Sequence, residues 1–476
     1  PYCEIKDELK YLVGDKPSSN VLKVADLTDL KVADLACGSG HILNECFDLL
    51  FKIYVEEGYS RRKAIEDILS KNLLGIDLDT RAKQLATFAL LMKACQKEQS
   101  FLDAKVMPRV YNMPRPIAEV IPSDWSKKDA TEFLHGTIPH YMLGSNDKMT
   151  KEITDAVLLM NHADTLGSIM KFDISEETRN AIMIRTQEYE QLLANGEIVP
   201  EAIQLLIPYM HIILALTDRY AAICMNPPYM GSGRFDSVLS KYVKDNYEEG
   251  KADLFSVFML LAIDRLLPNG KYGMINMQSW MFLSSFEKLR TRLLTENRID
   301  NMLHLGPRTF DELSGEVVQN TAFVITNCEG KDATGSYYRL LDGKSCGDKE
   351  RMFLSHICGN EDGQKIFYPN VSQQDFEKIP GCPIGYWIKK KIFSTFMHKT
   401  VSSVSQSKCG MNTGDNDGMI RLWFEIEFKE LNSNAISCED FHKTGSRYAP
   451  YNKGGRARKW YGNLEYVLKF DIANYK

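Results

Sequence analysis

Short apolar segments alternate with longer amphipathic segments through the first 330 residues of the chain. The apolar segments have the length of buried strands, and the amphipathic segments have the 3.6-residue period of helices. We predict strands over 32–35, 71–79, 220–225, 271–277, 300–305 and 317–327, and helices over 41–55, 80–97, 175–195, 200–216, 251–267 and 286–294. This alternation predicts an α/β fold with a doubly wound, mostly parallel sheet, and it leaves room for an antiparallel hairpin at the end.

Two segments interrupt the alternation, and a third region follows it. Prolines and polar residues cluster over about 103–150, which predicts an insertion on the surface rather than a core element. The helical segment 175–216 predicts a cap or crossover on the sheet. Beyond residue 330, short helical pieces alternate with Gly-rich loops. We therefore predict two domains, 1–330 and 331–476, the second of α+β type and beginning between residues 330 and 400.

Composition adds constraints on location and partners. The chain has 476 residues, of which 44% are hydrophobic and 25% charged, as in soluble proteins of two or three domains. It contains no run of about 18 apolar residues, so we expect no membrane span. Eleven cysteines without a CxxC pair predict reduced thiols, a cytoplasmic protein and no metal site. Without an initiator Met or a signal peptide at Pro1, we expect a fragment of a longer chain.

The first candidate binding element is the turn between the first predicted strand and the helix after it. Its sequence is Asp34-Leu-Ala36-Cys-Gly38-Ser-Gly40. The glycines let a ligand approach the backbone, and the following helix N-terminus presents free N–H groups. The turn lacks the third glycine of a dinucleotide fingerprint and the Lys-Ser/Thr of a P-loop. It fits a nucleoside that carries a cationic group; a plain strand–turn–helix connection is the alternative.

The second element is the end of the next predicted strand, Asp77-Leu78-Asp79. An acidic residue at this position holds ribose hydroxyls in Rossmann-like units. Asp77 lies farther from the glycines than the ~20 residues usual in such units, and the amphipathic insertion 56–71 accounts for the difference. Because an acid after a strand is also a common helix N-cap, we expect Asp79 to cap and Asp77 to bind.

The third element, Asn226-Pro227-Pro228-Tyr229, follows the apolar segment 220–225. Two prolines remove two backbone donors and fix two φ angles, so the strand ends in a stiff corner between an amide and an aromatic ring. Ligands of open α/β sheets bind at the carboxyl ends of the strands. The alternative is a strand that ends in a Pro-Pro turn without a function.

Together, the three strand ends resemble those of S-adenosylmethionine-dependent methyltransferases that methylate the N6 amine of adenine in DNA. That resemblance implies a Rossmann-like sheet with the cofactor over the first two strands and the acceptor at the fourth. The cofactor residues that it implies are Asp34, Ala36, Gly38 and Gly40 around the methionine and backbone, Asp77 on the ribose, Leu78 and Phe255 beside the cofactor adenine, and Asp164 on its exocyclic amine.

The same resemblance gives Asn226–Tyr229 a chemical role. The N6 lone pair of adenine is delocalised into the ring, so two acceptors on its N–H bonds, Asn226 and the carbonyl of Pro227, favour a pyramidal nitrogen aimed at the methyl group. Pro228 makes that carbonyl rigid, and Tyr229 stacks on a base flipped out of double-stranded DNA. Phe286 is a second candidate for packing the base, with a core phenylalanine on an amphipathic helix as the alternative. No general base is needed, so alignment carries most of the catalysis.

Longer segments resemble the PglX-type adenine methyltransferases of BREX phage-defence systems. The matches run from about residue 31 to 463 and include 36–43, 226–232, 278–290, 304–308 and 315–321. Segments 413–416, 451–455 and 458–462 resemble the start of the target-recognition region in that family. Its members are longer at both ends. The resemblance implies double-stranded DNA as substrate and other defence-system proteins as partners. The local charge agrees, since residues 443–476 hold eight Lys or Arg against two acids.

Three other functions compete with this interpretation. A type IIG restriction–modification enzyme would place a nuclease before the methyltransferase. A glutamine methyltransferase acting on a release factor also uses Asn-Pro-Pro-Tyr on an amide nitrogen, but residues 330–476 argue against such a small enzyme. A non-catalytic DNA-recognition subunit would use the same cofactor pocket for stability or sensing.

Overall fold

The computed structural model describes residues 4–13, 21–122, 129–144, 146–310, 318–359, 365–406 and 413–474. They form two compact units, Pro1–His398 and Lys399–Lys476. Residues 315–317 of the predicted segment 315–321 lie outside the described residues. Across the part of the chain that is described, no helix combines the length and the apolar character that crossing a membrane requires.

The first unit is built on one sheet whose strands run in the order β3-β2-β1-β4-β5-β7-β6-β8-β9. Neighbouring strands from β3 to β5 are parallel, and β7 is antiparallel to both β5 and β6. The strands are β1 (Val32–Asp34), β2 (Leu73–Asp77), β3 (Val110–Asn112), β4 (Tyr220–Met225), β5 (Leu266–Met277), β6 (Arg298–Gly306), β7 (Asn320–Thr326), β8 (Thr334–Arg339) and β9 (Phe367–Ser372). The predicted doubly wound α/β sheet with an antiparallel hairpin is confirmed.

Helices connect these strands and cover the sheet. Several begin at Ser, Asp or Asn residues whose side chains accept a hydrogen bond from the first turn, as N-caps do. The helices are α1 (His41–Glu56), α2 (Arg61–Asp67), α3 (Thr80–Lys97), α4 (Ile117–Val120), α5 (Ala130–Tyr141), α6 (Asp147–Leu159), α7 (Ala163–Leu166), α8 (Glu176–Ala194), α9 (Glu201–Thr217), α10 (Ser237–Asn246), α11 (Leu254–Arg265), α12 (Glu287–Glu296), α13 (Cys346–Ile357), α14 (Gln373–Glu377) and α15 (Lys390–Phe393).

Alternate residues of the central strands point into two different apolar clusters. Ala33 and Leu74 belong to the larger cluster, which also contains side chains of α5, α6, α9, α11 and α12. Their neighbours Val32 and Leu73 belong to a second cluster with α1, α2 and α3. This period of two is what a sheet covered on both faces requires.

The segment 103–150 does not lie on the surface as predicted. It contains the edge strand β3, which pairs with β2 in parallel. It also contains helix α5 and the start of helix α6. Phe133, Leu134, Ile138 and Tyr141 of α5 are all buried. The prediction was wrong because the prolines of this segment mask the helical spacing of these apolar residues, and Pro139 itself lies inside α5.

The first unit also extends farther than the predicted division at residue 330. Strand β8 pairs with β6 in parallel, and β9 pairs with β8, so both continue the same sheet. The division between the compact units falls at 398/399 instead, within the predicted interval of 330 to 400.

The second unit has a three-stranded antiparallel sheet in the order β10-β12-β11. Its elements are α16 (Asn416–Met419), β10 (Ile420–Leu422), α17 (Cys438–Lys443), β11 (Tyr448–Tyr451) and β12 (Tyr466–Lys469). This α+β unit matches the type predicted for the C-terminal region.

Candidate active site

The three predicted binding elements meet at one edge of the sheet. From β1 the chain passes to β2 and β3 on one side and then crosses to β4 and β5 on the other. The loops after β1 and β4 therefore diverge, and a crevice forms at the carboxyl ends of the strands, which is where open α/β sheets bind ligands. The glycine turn follows β1, Asp77 ends β2, and Asn226–Tyr229 follow β4.

Asp77 holds the glycine turn against the end of β2. One of its carboxylate oxygens accepts a hydrogen bond from the N–H of Gly38 at 2.9 Å. The other accepts from the N–H of Asp79 at 2.9 Å, and Asp79 in turn caps α3 by accepting from the N–H of Arg81. The division of roles between Asp77 and Asp79 that the sequence predicts is therefore compatible with their hydrogen bonds. Each Asp77 oxygen retains a lone pair for a ligand hydroxyl.

The turn itself needs its glycines. Gly38 and Gly40 have φ values of +51° and +84°, which L residues rarely adopt. Gly40 is the N-cap of α1, and a Cβ added there would lie 2.8 Å from the Cβ of Ala86 on α3. A Cβ at Gly38 would meet nothing within 4 Å. Gly40 therefore serves close packing of α1 on α3, whereas the space beside Gly38 is open to a ligand.

Asp34, the last residue of β1, forms a hydrogen bond with the backbone of the turn. It is 2% exposed, and one carboxylate oxygen accepts a hydrogen bond from the N–H of Ala36 at 3.1 Å. Burial raises the pKa of Asp34 well above its ordinary value, with smaller contributions from the neighbouring Cys224 and Asp77. A cationic ligand beside the turn would favour the ionised form of this carboxyl group.

Leu78 contacts the segment that follows α7, the short helix that carries Asp164. Leu78 is 51% exposed, and its side chain lies against Gly167, where an added Cβ would be 3.1 Å from Leu78 Cδ2. The hydroxyl of Ser168 donates to the carbonyl of Leu35 at 2.5 Å. These contacts fix the segment that follows α7 at the ends of β1 and β2. Asp164 lies on α7 itself and is exposed.

At the end of β4, Tyr229 and Asn226 form a hydrogen-bonded pair. The Tyr229 hydroxyl lies 3.1 Å from Asn226 Oδ1 and 3.3 Å from the carbonyl oxygen of Ile275, so its single proton can reach either acceptor. Asn226 is exposed, whereas Pro227 is buried. Burial raises the pKa of Tyr229 to about 12, so the hydroxyl stays a neutral donor at physiological pH.

Asn320 holds the hydroxyl of Tyr229 in place. The sequence alone assigned this residue no role of its own; it was only part of the segment 315–321 that resembles PglX-type methyltransferases. It is 1% exposed at the start of β7, and its Nδ2 donates to the Tyr229 hydroxyl at 3.2 Å and to the carbonyl of Asn276 at 3.3 Å. The Tyr229 oxygen therefore accepts one bond from Asn320, and its proton remains directed at Asn226 or Ile275.

The loop after Tyr229 is attached to the N-terminus of α11 by Asp253. One Asp253 oxygen accepts from the N–H of Met230 at 3.0 Å and from the N–H of Phe255 at 3.3 Å. The N–H of Ser232 donates to the carbonyl of Ala252 at 3.0 Å. Burial raises the pKa of Asp253. Asp253 could have been found from the sequence, because an Asp directly before an apolar helical run is a common N-cap pattern.

Two further aromatic candidates lie behind Tyr229. The Phe255 ring centroid is 6.2 Å from that of Tyr229 in an edge-to-face arrangement and 5.6 Å from that of Phe286. Phe255 is 0% exposed and Phe286 is 3% exposed. This placement matches the core alternative for Phe286, which packs on Phe255, while the Phe255 ring itself contacts Tyr229. Direct contact of Phe286 with a base, and of Phe255 with a cofactor, stays a prediction.

Comparisons with known proteins agree with these motifs. Residues 71–310 match the model of the Eco57I restriction-modification methylase family. The chain is 33% identical over 97% of its length to the adenine-specific methyltransferase PglX of Lacticaseibacillus casei (strain Zhang), and 33% identical over 99% to the adenine-specific methyltransferase BrxX of Escherichia coli O9:H4 (strain HS). It is 31% identical over 69% of its length to RM.Eco57I, a type II restriction enzyme and methyltransferase of Escherichia coli, of which it covers 28%.

The predicted resemblance to PglX-type methyltransferases is confirmed by these similarities. The chain spans only 37% of PglX and 39% of BrxX.

Proposed function

The chain belongs to the Eco57I restriction-modification methylase family, and we propose that it is the catalytic part of a site-specific DNA N6-adenine methyltransferase of a phage-defence or restriction–modification system. The observation that carries this proposal is the Asn226–Tyr229 pair at the carboxyl end of β4, next to the glycine turn of β1. An exposed amide oxygen and an aromatic ring at this point suit an exocyclic amine on a flipped base.

The residues present fit S-adenosylmethionine. Space beside Gly38 leaves room for the methionine part, a cationic group beside the turn would favour the ionised form of the buried Asp34, and Asp77 keeps lone pairs for ribose hydroxyls. Leu78 offers an exposed apolar surface for the adenine ring, and Asp164 lies on the adjoining segment. When bound, this cofactor supplies a methyl group on a positively charged sulfur.

The chemical role that we assign to the protein is to orient the N6 amine of the adenine that receives the methyl group. Asn226 Oδ1 and the Pro227 carbonyl would accept the two N6 protons, so the nitrogen lone pair points toward the crevice where the cofactor residues lie. Both acceptors are held before substrate arrives, Asn226 by Tyr229 and the Pro227 carbonyl by the Pro-Pro corner. Such preorganised groups need no rearrangement during the reaction. The Tyr229 hydroxyl can donate to the Ile275 carbonyl instead when Asn226 Oδ1 accepts a hydrogen bond from the substrate amine.

The direct test is transfer of a labelled methyl group from S-adenosylmethionine to double-stranded DNA, with the modified base identified by mass spectrometry. We expect N6-methyladenine with the wild type. The Asn226→Ala variant should lose a factor of about 10²–10³ in rate, as when one preorganised polar group is removed. The exposed Asn195→Ala variant is the matched control and should match the wild type. N4-methylcytosine as the product, or full activity of Asn226→Ala, would contradict the proposal.

Cofactor binding is tested separately by calorimetry with S-adenosylmethionine. Asp77→Ala should weaken binding by about tenfold or more, since it removes both the ribose acceptor and the bond to Gly38. Asp79→Ala keeps Asp77 and removes the cap of α3 and an exposed ion pair with Arg81, so it should bind within about twofold of the wild type. Equal affinities for all three proteins would exclude the assignment of Asp77.

The non-catalytic alternative predicts a different outcome in cells. If Asn226→Ala in the full-length parent protein abolishes both DNA methylation and defence, catalysis is the function. If defence survives without methylation, the site serves sensing.

A further inference from the structure

A large cleft lies away from the candidate active site, along the outer edge of β3. It has a volume of about 1050 Å³, with residues 107–112 as its floor, α3 as one wall, and α8 and α9 as the other. We call it the β3 cleft. The described residues that line it include none of those proposed for cofactor or base binding. The cleft is therefore a separate feature, and its composition is independent of the proposed function.

The floor of the cleft is the free edge of a strand. β3 is the last strand on this side of the nine-stranded sheet, and among the described residues no strand pairs with its outer edge. The carbonyl of Arg109 and the N–H of Met113 bond to β2 at 2.9 and 3.2 Å. Because the bonding direction alternates along a strand, the backbone groups of Val110 and Asn112 point the other way. The N–H of Val110 donates locally to the carbonyl of Pro108 at 2.9 Å.

The side chains of β3 leave this edge uncovered. Val110 is 3% exposed and packs in the apolar cluster of α1, α2 and α3. Tyr111 points to the opposite face of the sheet, where its ring stacks on His211 of α9 with the ring centres 4.7 Å apart. Each side chain lies against a helix on its own face, so the backbone between them faces into the cleft.

The cleft also offers apolar surface above this edge. Phe88 of α3 is 62% exposed, Met107 before β3 is 60% exposed, and Met183 of α8 is 37% exposed. Apolar side chains on both sides of a sheet edge form pockets for the alternate residues of an added strand. A single extended chain fits between α3 and α8, whereas the edge of another folded sheet would bring its own helices against them.

The cleft is positively charged, although the whole chain has a net charge of −5. Five Lys or Arg line it against two acids, Glu190 and Asp218. Asp218 is already paired with Lys31 at 2.8 Å and with Arg179 at 2.9 Å. Lys31 and Arg109 directly precede β1 and β3, so the positive charge gathers at the amino ends of these strands. This end of the cleft is complementary to carboxylates.

We propose that the β3 cleft is a docking site for an extended, acidic peptide segment of another protein, which adds an antiparallel strand to β3. Its backbone bonds to the outward groups of Val110 and Asn112, and its alternate apolar side chains contact Phe88 and Met183. Antiparallel pairing is the more stable arrangement per residue, and it brings the C-terminal end of the segment to the amino end of β3. The acids of the segment therefore lie at its C-terminal end, beside Arg109.

The test begins with selection of peptides by the full chain from a phage-displayed library of random 12-residue sequences. We expect the enriched sequences to share an alternation of apolar and polar residues followed by Asp or Glu. The most enriched peptide is then synthesised with a fluorescein label, and its affinity for the wild type and for variants is measured by fluorescence anisotropy.

Two variants act on the edge and on the walls. Asn112→Pro removes an outward N–H without breaking a bond to β2, and proline is tolerated on edge strands. It should weaken peptide binding about tenfold, because a backbone bond is lost and its acceptor on the peptide stays unpaired. F88A/M183A removes apolar surface from both walls and should also weaken binding about tenfold. Circular dichroism checks the folding of both, and F88A/M183A decides if Asn112→Pro melts at a lower temperature.

The matched control is L85A/I184A. These side chains are on the same two helices and are 58% and 50% exposed, but they lie outside the described lining of the cleft. This variant should bind the peptide within about twofold of the wild type. The charge is tested by Arg109→Glu, which should weaken binding of the acidic peptide about tenfold and leave binding of a version with Asn and Gln in place of the acids unchanged.

Several outcomes would overturn the proposal. They are a wild type that enriches no peptide, equal binding by F88A/M183A and the wild type, and an equal loss in L85A/I184A. Displacement of the peptide by inorganic phosphate alone would assign the cleft to small anions instead. Sedimentation that shows a dimer of the wild type and a monomer of F88A/M183A would assign it to a second copy of the chain. Neither peptide binding nor its loss depends on methyl transfer, so this inference and the proposed function stand or fall separately.

Discussion

A single hydroxyl group connects the amide at the end of β4 to the rest of the sheet. The Tyr229 oxygen accepts from Asn320 and reaches both Asn226 Oδ1 and the Ile275 carbonyl. A hydroxyl shared by two acceptors at 3.1 and 3.3 Å can give up one of them without losing its own bond. This arrangement keeps Asn226 oriented before substrate binds and leaves its oxygen accessible to an incoming amine.

We expect Tyr229→Phe to lower kcat for methyl transfer about 5- to 10-fold, since one net hydrogen bond contributes about 1 kcal/mol. The ring remains, so KM for DNA should change little. Tyr229→Ala removes the stacking surface as well and should raise KM for DNA in addition. Steady-state kinetics of both variants measures the difference. Equal kcat for Tyr229→Phe and the wild type would show that the hydroxyl does not position Asn226.

The two glycines of the β1 turn should respond differently to alanine. At Gly40, a positive φ and a Cβ 2.8 Å from Ala86 combine strain with a steric clash, so Gly40→Ala should lower the free energy of unfolding by about 2–4 kcal/mol. Gly38→Ala meets only the φ penalty, about 1 kcal/mol. It should instead weaken S-adenosylmethionine binding, because the new methyl group enters the open space of the turn.

Urea unfolding and calorimetry on the two variants separate these effects. A larger stability loss for Gly38→Ala than for Gly40→Ala would contradict the assignment of packing to Gly40 and ligand approach to Gly38.

At the level of elements, His304 ties β6 to the residues that follow β5. Its Nδ1 lies 2.9 Å from the Tyr386 hydroxyl, and its Nε2 lies 2.7 Å from Gln278 Oε1. Burial, together with smaller contributions from the charges of Arg339 and Lys349, lowers the pKa of His304 to about 4. The neutral ring therefore accepts from Tyr386 and donates to Gln278.

This histidine predicts a pH dependence of stability. Its folded-state pKa lies below the unfolded value of 6.5, so the unfolded chain takes up a proton that the folded chain refuses. The stability that depends on His304 is complete above about pH 6.5 and decreases toward pH 4, by about 3 kcal/mol in total. We expect His304→Gln to be less stable than the wild type at pH 7.5 but to lose less stability between pH 6.5 and 4.5. Urea midpoints at these pH values provide the measurement, and parallel losses in both proteins would exclude this role.

The elements that the sequence predicted well are those with strong local signals. Strand β4 and its Pro-Pro corner, the glycine turn and helix α11 each combine an apolar run with a distinct turn or cap. The meeting of the glycine turn and Asp77 at one edge also followed, because parallel neighbouring strands end at the same edge, but the hydrogen bond between Gly38 and Asp77 was not predicted. The bond between Asn320 and Tyr229 could not be predicted, since the two residues are 91 positions apart and an isolated Asn carries no local signal. Helix α5 was missed because a proline inside it outweighed its apolar spacing.

The two compact units differ in how much of the candidate site they contain. All the predicted cofactor and catalytic residues belong to the first unit, which contains the complete nine-stranded sheet of the described residues. The second unit contains the three-stranded sheet and a small core, whose described buried side chains are Ile420, Phe441, Tyr448, Val467 and Leu468. A core of this size gives little stability by itself.

We therefore expect a shortened chain of residues 1–398 to fold and to bind S-adenosylmethionine within about threefold of the full chain. The sheet and both apolar clusters around its central strands remain in it, so its circular dichroism should show a cooperative transition. Its affinity for a random-sequence duplex should fall, because residues 443–476, which hold eight Lys or Arg against two acids, are removed. Loss of cofactor binding on shortening would show that the second unit completes the cofactor site, whereas unchanged duplex affinity would place the main DNA contact in the first unit.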